Sequence, residues 1–354
     1  MKILLLGEFS GFHAALQDGL KFLGHDVTLI SSGDGWKKLQ SDILLGQGYS
    51  DSLYGKIKRN LEPYIKLKNF VGYDIVQLVN VKPLNCSLLA NYFLIKLLKK
   101  YNNKIVLSAS GTDAYFWRNN LSNYKYPIHA DILKYDNPNI MWQTRKAFSI
   151  NKKIVNIVDK IIPIMYEYQN AYKDINKISD VIPLPINLQK IPYTPNEIKG
   201  KLMFFHGINR PGIKGTKYIT QAFDIAHHRY KNVANFVIAN RMPYEEYSRV
   251  ISSTNVIADQ CMSYSCGMNA LQAMASGKIV MGGAEKEGLE IMKIDNSPVF
   301  NITPDPEQIL NEIDAIINDK NNITELGYLS RKYIEQHHDC IKIANIYLQE
   351  WNNI

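Results

Sequence analysis

Two stretches in the second half of the chain hold residues whose types and spacing suit a diphosphate. The first is "HGINRPGIKGT", His206 to Thr216. Arg210 and Lys214 bracket Pro211 and Gly212, and Lys214, Gly215 and Thr216 open a helical pattern. A fork-shaped guanidinium, an ammonium and the orphan amides of a helix amino end each neutralise anionic oxygens. In the second stretch Tyr264, Ser265, Cys266, Gly267, Met268 and Asn269 lead into "GMNALQAMASGKIVMGG". That pattern is a helix opened by Gly267, closed by a glycine and followed at once by a buried strand. Its bare amino end offers a second anion cradle. Ala270, Ala273 and Ala275 let the helix lie close to a sheet, and Gln272 sits in its middle.

Two stretches in the first half could face the same ligand. In "GEFSGFH" (7–13), Gly11 precedes a helix, so backbone N–H groups there can approach an anion. The spacing is G-x-x-x-G, and no acidic residue ends the second strand, which weighs against a dinucleotide site. His13 follows, and it reads equally well as a packed or solvated side chain. In "SASGTDAYFWR" (108–118), a Gly-Thr-Asp turn after a buried strand places Asp113 at a strand end. Thr112 or Asp113 can equally cap the helix that follows.

These residues need strands and helices to hold them. "KILLLG" (2–7) is a buried strand. The helix "FHAALQDGLKFLG" follows, with Phe12, Leu16, Leu20 and Leu23 on one face. "DVTLIS" (26–31), "DIVQLVN" (74–80), "KIVLSAS" (104–110), "KIIPIM" (160–165) and "DVIPLPIN" (180–187) read as further strands. "CSLLANYFLIKLLKK" is the helix before the fourth of these six strands. Residues 188–200, polar and twice broken by proline, read as a linker. The grammar then restarts with "KLMFFHG" (201–207), a helix through 214–230, and strands at 235–240 and 255–260. The opening helix and its strand follow. Next comes a helix capped by Asp305 with Pro306 in its first position, and then two tail helices. Alternating strands and helices predict parallel sheets covered on both faces. The expected organisation is an α/β domain over 1–187, a linker, a second α/β domain over 201–335, and a tail helix over 336–354 that crosses back to the first. A cleft between the domains is expected to hold ligand beyond the strands' carboxyl ends.

Composition narrows the class. The 354 residues are 46% hydrophobic and 21% charged, an ordinary soluble balance with length for two domains. Four cysteines without a C-x-x-C pair read as reduced thiols of a cytosolic protein. The start "MKILLLGEFSGF" carries too short an apolar run for a signal segment, and no run is long enough to span a bilayer. The net charge of +8 favours anionic partners: nucleotides, phospholipid surfaces or nucleic acid. No nucleic-acid motif accompanies it. "YGKIKRNLEPYIKLKNF" (54–70) places Ile57, Leu61, Tyr64 and Ile65 on one face, ringed by Lys56, Lys58, Arg59, Lys66 and Lys68. "FLIKLLKK" (93–100) is similar. Such helices lie on anionic membranes or turn their apolar face inward.

Together these stretches resemble the retaining family 4 glycosyltransferases of the GT-B fold, of the bacterial polysaccharide type. The resemblance covers the chain in outline. It is strongest where "NRPGIKGTKYI" and "GMNALQAMASGKIVMGG" stand in the family's order and distance. It implies two Rossmann-like domains, with a nucleotide sugar, UDP- or GDP-linked, held mostly by the second. In that alignment Arg210 and Lys214 hold the diphosphate as catalytic groups. Gly215, Thr216, Tyr264, Ser265, Gly267, Met268, Asn269 and Gln272 join them at the donor, and Gly11 approaches it from the first domain. The family places its arginine directly after the strand's glycine, where this chain has Ile208. It also carries two glutamates eight positions apart, where this chain has Tyr264 and Gln272. Gln272 can still bond ribose hydroxyls, and Glu285 and Glu287 could bring a carboxylate from another direction.

The activity so implied is transfer of a sugar, with retention and without a metal or a cofactor, to a glycan or lipid-linked acceptor near His13 and Asp113. Asp113 is the third catalytic candidate. The expected setting is cytoplasmic, with the inner face of the cell membrane as a peripheral alternative. Loss of both glutamates motivates a different reading, a non-catalytic glycosyltransferase-like subunit that binds a glycan or supports an active partner. Arg241, Met242 and Pro243 follow a strand and could border the base.

Overall fold

The computed structural model describes residues 1–35, 39–119, 124–126, 128–136, 140–240 and 244–354. The chain forms two compact units. The first comprises Met1–Asn120, Asn139–Asn187 and Cys340–Ile354; the second comprises Leu121–Pro138 and Leu188–Asp339.

In chain order, the first part of the chain runs β1 (Lys2–Leu6), α1 (Phe12–Phe22), β2 (Asp26–Ser31), β3 (Ile43–Leu44), α2 (Leu53–Ile65), β4 (Ile75–Leu78), α3 (Leu88–Tyr101), β5 (Lys104–Ala109), α4 (Ala114–Asn119), α5 (Ile128–Tyr135), α6 (Arg145–Ile157), β6 (Lys160–Pro163) and α7 (Tyr166–Tyr172). It continues with β7 (Leu202–Ile208), α8 (Pro211–Lys214), α9 (Thr216–Tyr230), β8 (Ala234–Asn240), α10 (Tyr244–Ser253), β9 (Val256–Ala258), α11 (Met268–Ala275), β10 (Ile279–Gly282), α12 (Lys286–Ile291), β11 (Phe300–Asn301), α13 (Pro306–Asn318), α14 (Ile323–His337) and α15 (Cys340–Asn352).

The first unit is built on a parallel sheet of order β3-β2-β1-β4-β5-β6. Central strands covered on both faces need apolar residues throughout, which is why Ile3, Leu4, Leu5 and Leu6 are all fully buried. The tail helix α15 belongs to this unit. It lies against α1 at Gly19, where any Cβ would meet the Cys340 carbonyl oxygen at 2.1 Å. Trp351 Nε1 donates to Gln77 Oε1 (3.1 Å), and Lys160 pairs with Glu350 (2.9 Å).

The second unit carries a parallel sheet of order β11-β10-β9-β7-β8. In both sheets the strand order reverses beside the unit's first strand, between β1 and β4 and between β7 and β9. Helices leave opposite faces there, so the crevice beyond the carboxyl ends is the place a doubly wound sheet offers a ligand.

One expected strand is absent. Residues 180–187 run extended without joining the sheet as a strand; Ile182 N donates to Pro163 O (3.0 Å). Pro183 and Pro185 lack the amides a ladder requires. Asp305 caps α13 as its sequence implies, accepting from Glu307 N at 3.0 Å. Arg241, Met242 and Pro243 lie outside the described residues.

Candidate functional site

In the second unit the crevice between β7 and β9 is walled by residues 209–215 and 259–267. His206, near the end of β7, is fully buried. Burial, then the nearby Lys214 charge, push its pKa down to about 4, so the ring is neutral. The Ala258 carbonyl, 2.7 Å from Nδ1, can only accept, so Nδ1 carries the proton. Nε2 then accepts from Thr216 Oγ1 (2.9 Å), which fixes the start of α9. Gly215 takes φ +67°, and a Cβ there would meet Cys261 Sγ at 2.3 Å. Only glycine lets the two walls touch.

Lys214 and Asp259 face each other across this crevice. Lys214 is 6% exposed and Asp259 2%, and the ammonium lies 2.8 Å from Oδ1. Lys214 also ties the walls through its carbonyl, which accepts from Cys261 N (3.1 Å). Arg210 by contrast is exposed, and it makes no ion pair among the described residues. The two cations expected to act together are therefore unlike: one is buried and neutralised, the other open.

The polar stretch before α11 is stitched to itself. Gln260 Nε2 (3.1 Å) and Ser263 Oγ (3.0 Å) both donate to the Ser265 carbonyl. Gly283 lets it approach β10, since a Cβ would meet Ser263 O at 2.3 Å. Gly267 is the N-cap of α11 and has no side chain with which to cap it. Met268, Ala270, Leu271, Ala273, Met274 and Ala275 are buried, while Gln272 is exposed one turn inside. Ser265 is buried, and Asn269 and Gly267 are half-buried. Thus the amino end of α11 opens on a glycine that has no side chain to cap it, with Gln272 exposed one turn in, and is an anion-compatible element.

Tyr264 is buried. Its hydroxyl accepts from Lys125 N (2.9 Å), and the Tyr124 ring meets it edge-on at 5.1 Å. Its carbonyl accepts from Glu285 N (3.1 Å). Glu285, also buried, accepts from Tyr126 Oη, from Lys125 Nζ (2.8 Å) and from Asn301 Nδ2 (3.0 Å). Burial alone would raise its pKa; these three donors together hold it below the ordinary range. Lys125 also reaches Glu287 (2.7 Å), which lowers that carboxyl too.

Residues 124–136 follow α4 in sequence yet belong to the second unit. Besides the contacts of Lys125 and Tyr126, Asp131 pairs with Lys217 (2.9 Å). Asp136 accepts from the amides of Gly212 (2.5 Å) and Ile213 (3.0 Å). The basic turn at 210–217 thus receives two carboxylates from this segment. Sequence reasoning missed Asp131 and Asp136, because nothing local marks them. Sequence reasoning passed over Asp259 too, although it stands directly after β9.

In the first unit, Gly11 takes φ +91° as its turn demands. Its amide donates to Glu8 Oε1 (2.9 Å), and Ala14 N donates to Glu8 Oε2 (2.7 Å). The anion cradle expected at Gly11 therefore holds the chain's own Glu8. Burial pushes that carboxyl up to about 7. His13 is fully buried, its Nδ1 2.8 Å from Gly7 O. Burial pushes it down to about 3, so it is a neutral core histidine. Asp113 is also buried. It caps α4 by accepting from Phe116 N (2.9 Å) and accepts from Tyr172 Oη. Burial pushes it up to about 6. Neither side chain is open to solvent. Among the described residues, no three His, Cys, Asp or Glu side chains gather as a metal site.

No family model matches the chain, and no curated protein matches its sequence. Solved structures do. Sucrose-phosphate synthase from Thermosynechococcus elongatus superposes with a TM-score of 0.63 at 14% identity, covering 100% of this chain and 99% of that one. Anabaena HepE superposes with a TM-score of 0.61 both in complex with UDP and glucose (13% identity) and in complex with UDP-glucose (14%). Each HepE comparison covers 100% of both chains. At these identities the likeness is one of fold, and the fold is GT-B.

Proposed function

We propose that the chain is a glycosyltransferase that takes a sugar from a UDP- or GDP-linked donor and passes it, with retention and without a metal, to a glycan or lipid-linked acceptor. Its place is the cytoplasm, at the inner face of the cell membrane. The observation that carries this reading is the amino end of α11. It opens at the carboxyl ends of β9 and β10, has Gly267 rather than a capping side chain at its N-cap, and has Gln272 exposed one turn in. The structural neighbour HepE, of the same fold, was solved with UDP-glucose.

The chemistry follows from where charge develops. As the sugar departs, negative charge grows on the diphosphate. Amides of Gly267, Met268 and Asn269 point along the helix axis at that charge and need no reorganisation. Arg210, exposed at the opposite wall, supplies the mobile cation. Lys214 acts as a positioning residue: with its charge balanced by Asp259, it holds the wall that carries Arg210. Gln272 bonds the ribose hydroxyls as donor and acceptor.

Titration calorimetry with UDP, GDP and their glucose and N-acetylglucosamine conjugates tests the reading. One nucleotide series should bind. Arg210→Ala should weaken binding roughly tenfold or more, as loss of a charge-assisted pair does. Gln272→Ala should weaken nucleoside diphosphate by a smaller factor, with no effect on inorganic pyrophosphate. If no member of the panel binds, the transferase reading fails.

A second reading, a non-catalytic subunit, is favoured by Tyr264. Where the resemblance places a carboxylate, a buried tyrosine is covered by Tyr124 and tied to Lys125. Donor binding without diphosphate release, across a panel of acceptors, would favour it.

A further inference from the structure

Helix α2 is amphipathic in the reverse sense. The side it buries carries Gly55, Glu62 and Pro63. Gly55 packs so closely that a Cβ would meet Ser50 O at 2.1 Å. Glu62 is held inside by Gly46 N (2.7 Å) and Lys66 Nζ (2.7 Å). Pro63 leaves the Arg59 carbonyl without its helical donor, and Cys86 Sγ–H supplies one at 3.0 Å. Burial pushes the Cys86 thiol up to about 11, so it keeps the proton it donates. Tyr64, expected among the apolar residues of the outer face, turns inward and donates to Ala90 O at 2.5 Å.

The outer side is the apolar one. Leu53, Ile57, Leu61 and Ile65 are 76, 47, 51 and 80% exposed. Spaced by four, they form one stripe of about 18 Å along the helix. Tyr54 stands beside it, with the Lys58 ammonium over its ring at 4.4 Å. Helix α3 packs beside α2 and adds exposed Leu89 and Phe93 on its own outward side.

Charge selects the partner. Lys56, Lys58 and Lys68 flank the stripe, and Lys96 and Lys100 line the outward side of α3; all five are exposed. None makes an ion pair among the described residues. Helix α3 contains no acidic residue, and the one acid of α2 is the buried Glu62. Asp51, before α2, is bound to Arg59 (3.1 Å). Protein interfaces deplete lysine from their cores. A row of aliphatic side chains rimmed by lysines instead matches an anionic bilayer: the apolar stripe enters the acyl boundary while the ammonium groups meet headgroups.

We infer that the outer face of α2, with the exposed edge of α3, is a docking surface for an anionic lipid bilayer. It deepens the membrane location proposed above and needs no part of the transferase reading. The test is co-sedimentation of the full chain with phosphatidylglycerol-containing and pure phosphatidylcholine vesicles. The anionic vesicles should bind at least roughly tenfold more protein, and added salt should weaken that binding. Ile57→Glu with Leu61→Glu should lower binding to the anionic vesicles by roughly tenfold while leaving the melting temperature unchanged, because both side chains are exposed. Lys56→Gln with Lys58→Gln is the second variant and should reduce only the anionic preference. Equal binding to both vesicle types, no binding to either, or full binding by the Ile57/Leu61 variant overturns the inference. So does a lipid-free dimer, seen by sedimentation velocity, that the same variant abolishes; the stripe would then belong to a second copy of the chain.

Discussion

Replacing Lys214 should injure the fold before it injures any chemistry. The ammonium and Asp259 are 6% and 2% exposed and 2.8 Å apart. Removing one partner leaves the other charge buried and unpaired, at a cost of about 3–5 kcal/mol. For a unit of this size, each kcal/mol moves the melting temperature by roughly 2–4 °C. Lys214→Ala and Asp259→Ala should therefore each lower the transition of the second unit by roughly 6–20 °C. The double variant Lys214→Met, Asp259→Leu removes both charges and keeps apolar volume. It should recover most of that loss, because a buried pair is worth little against a packed hydrophobic replacement. The assay is a thermal melt read by calorimetry for all four proteins. A Lys214→Ala transition within a degree or two of the parent would refute the argument, and so would a double variant no better than the worse single. Donor titration on the double variant then separates roles. If nucleotide binding survives there but not in Arg210→Ala, the working cation is Arg210.

Three further outcomes follow from named contacts. Glu8 has its folded pKa pushed up to about 7 from 4.5, so its contribution is fully present at low pH and is lost as pH rises through 7. Glu8→Gln should therefore gain on the parent by roughly 3 kcal/mol between pH 4.5 and 7.5, read by urea denaturation at each pH; a pH-independent difference contradicts the assignment. Glu285→Gln leaves Lys125 with Glu287 alone and gives Tyr126 a neutral acceptor in place of a charged one, so amide hydrogen exchange over 124–136 should rise several-fold while α15 stays protected; unchanged exchange there would show that the segment is held by other contacts. Gly215→Ala combines φ +67° with a 2.3 Å clash against Cys261 Sγ, and it should destabilise the second unit by about 2 kcal/mol or more in the same melts. A silent Gly215→Ala would mean the walls of the crevice can move apart freely.

The fold was legible because its signals are local. Unbroken apolar runs such as "KILLL" specify buried parallel strands, and Asp305-Pro306 specifies a helix start; neither needs a distant partner. The extended 180–187 segment misled because Ile182, Leu184 and Ile186 alternate as in a strand, while Pro183 and Pro185 remove the ladder donors. The site was legible only in part. Glycine-rich turns at strand ends announced where backbone amides gather. What those amides hold depends on residues far away in sequence, as Asp136 on Gly212 and Ile213 demonstrates. The apolar stripe of α2 was visible in the sequence as well. Which way it faces was decided by Gly55, Glu62 and Pro63 on the other side, and periodicity does not distinguish those two outcomes.

One pattern links these elements. Most of the anion-binding groups in and around these turns are already matched by a carboxylate of the chain itself. Glu8 fills the amides of Gly11 and Ala14, Asp136 those of Gly212 and Ile213, and Asp259 and Asp131 neutralise Lys214 and Lys217. A tethered carboxylate competes at high effective concentration, so an incoming phosphate gains little at any of these four places. The amino end of α11, with Gly267 at its N-cap, and the exposed Arg210 stand apart from these four. A nucleotide donor should therefore be held by these two elements. If so, its affinity for the chain must fall with added salt by the slope expected for one arginine, not for a cluster of three cations. A steep salt dependence, with Lys214 and Lys217 both contributing, would mean that donor binding displaces Asp259 and Asp131, and the neutralised sites would then be resting states of the binding surface itself.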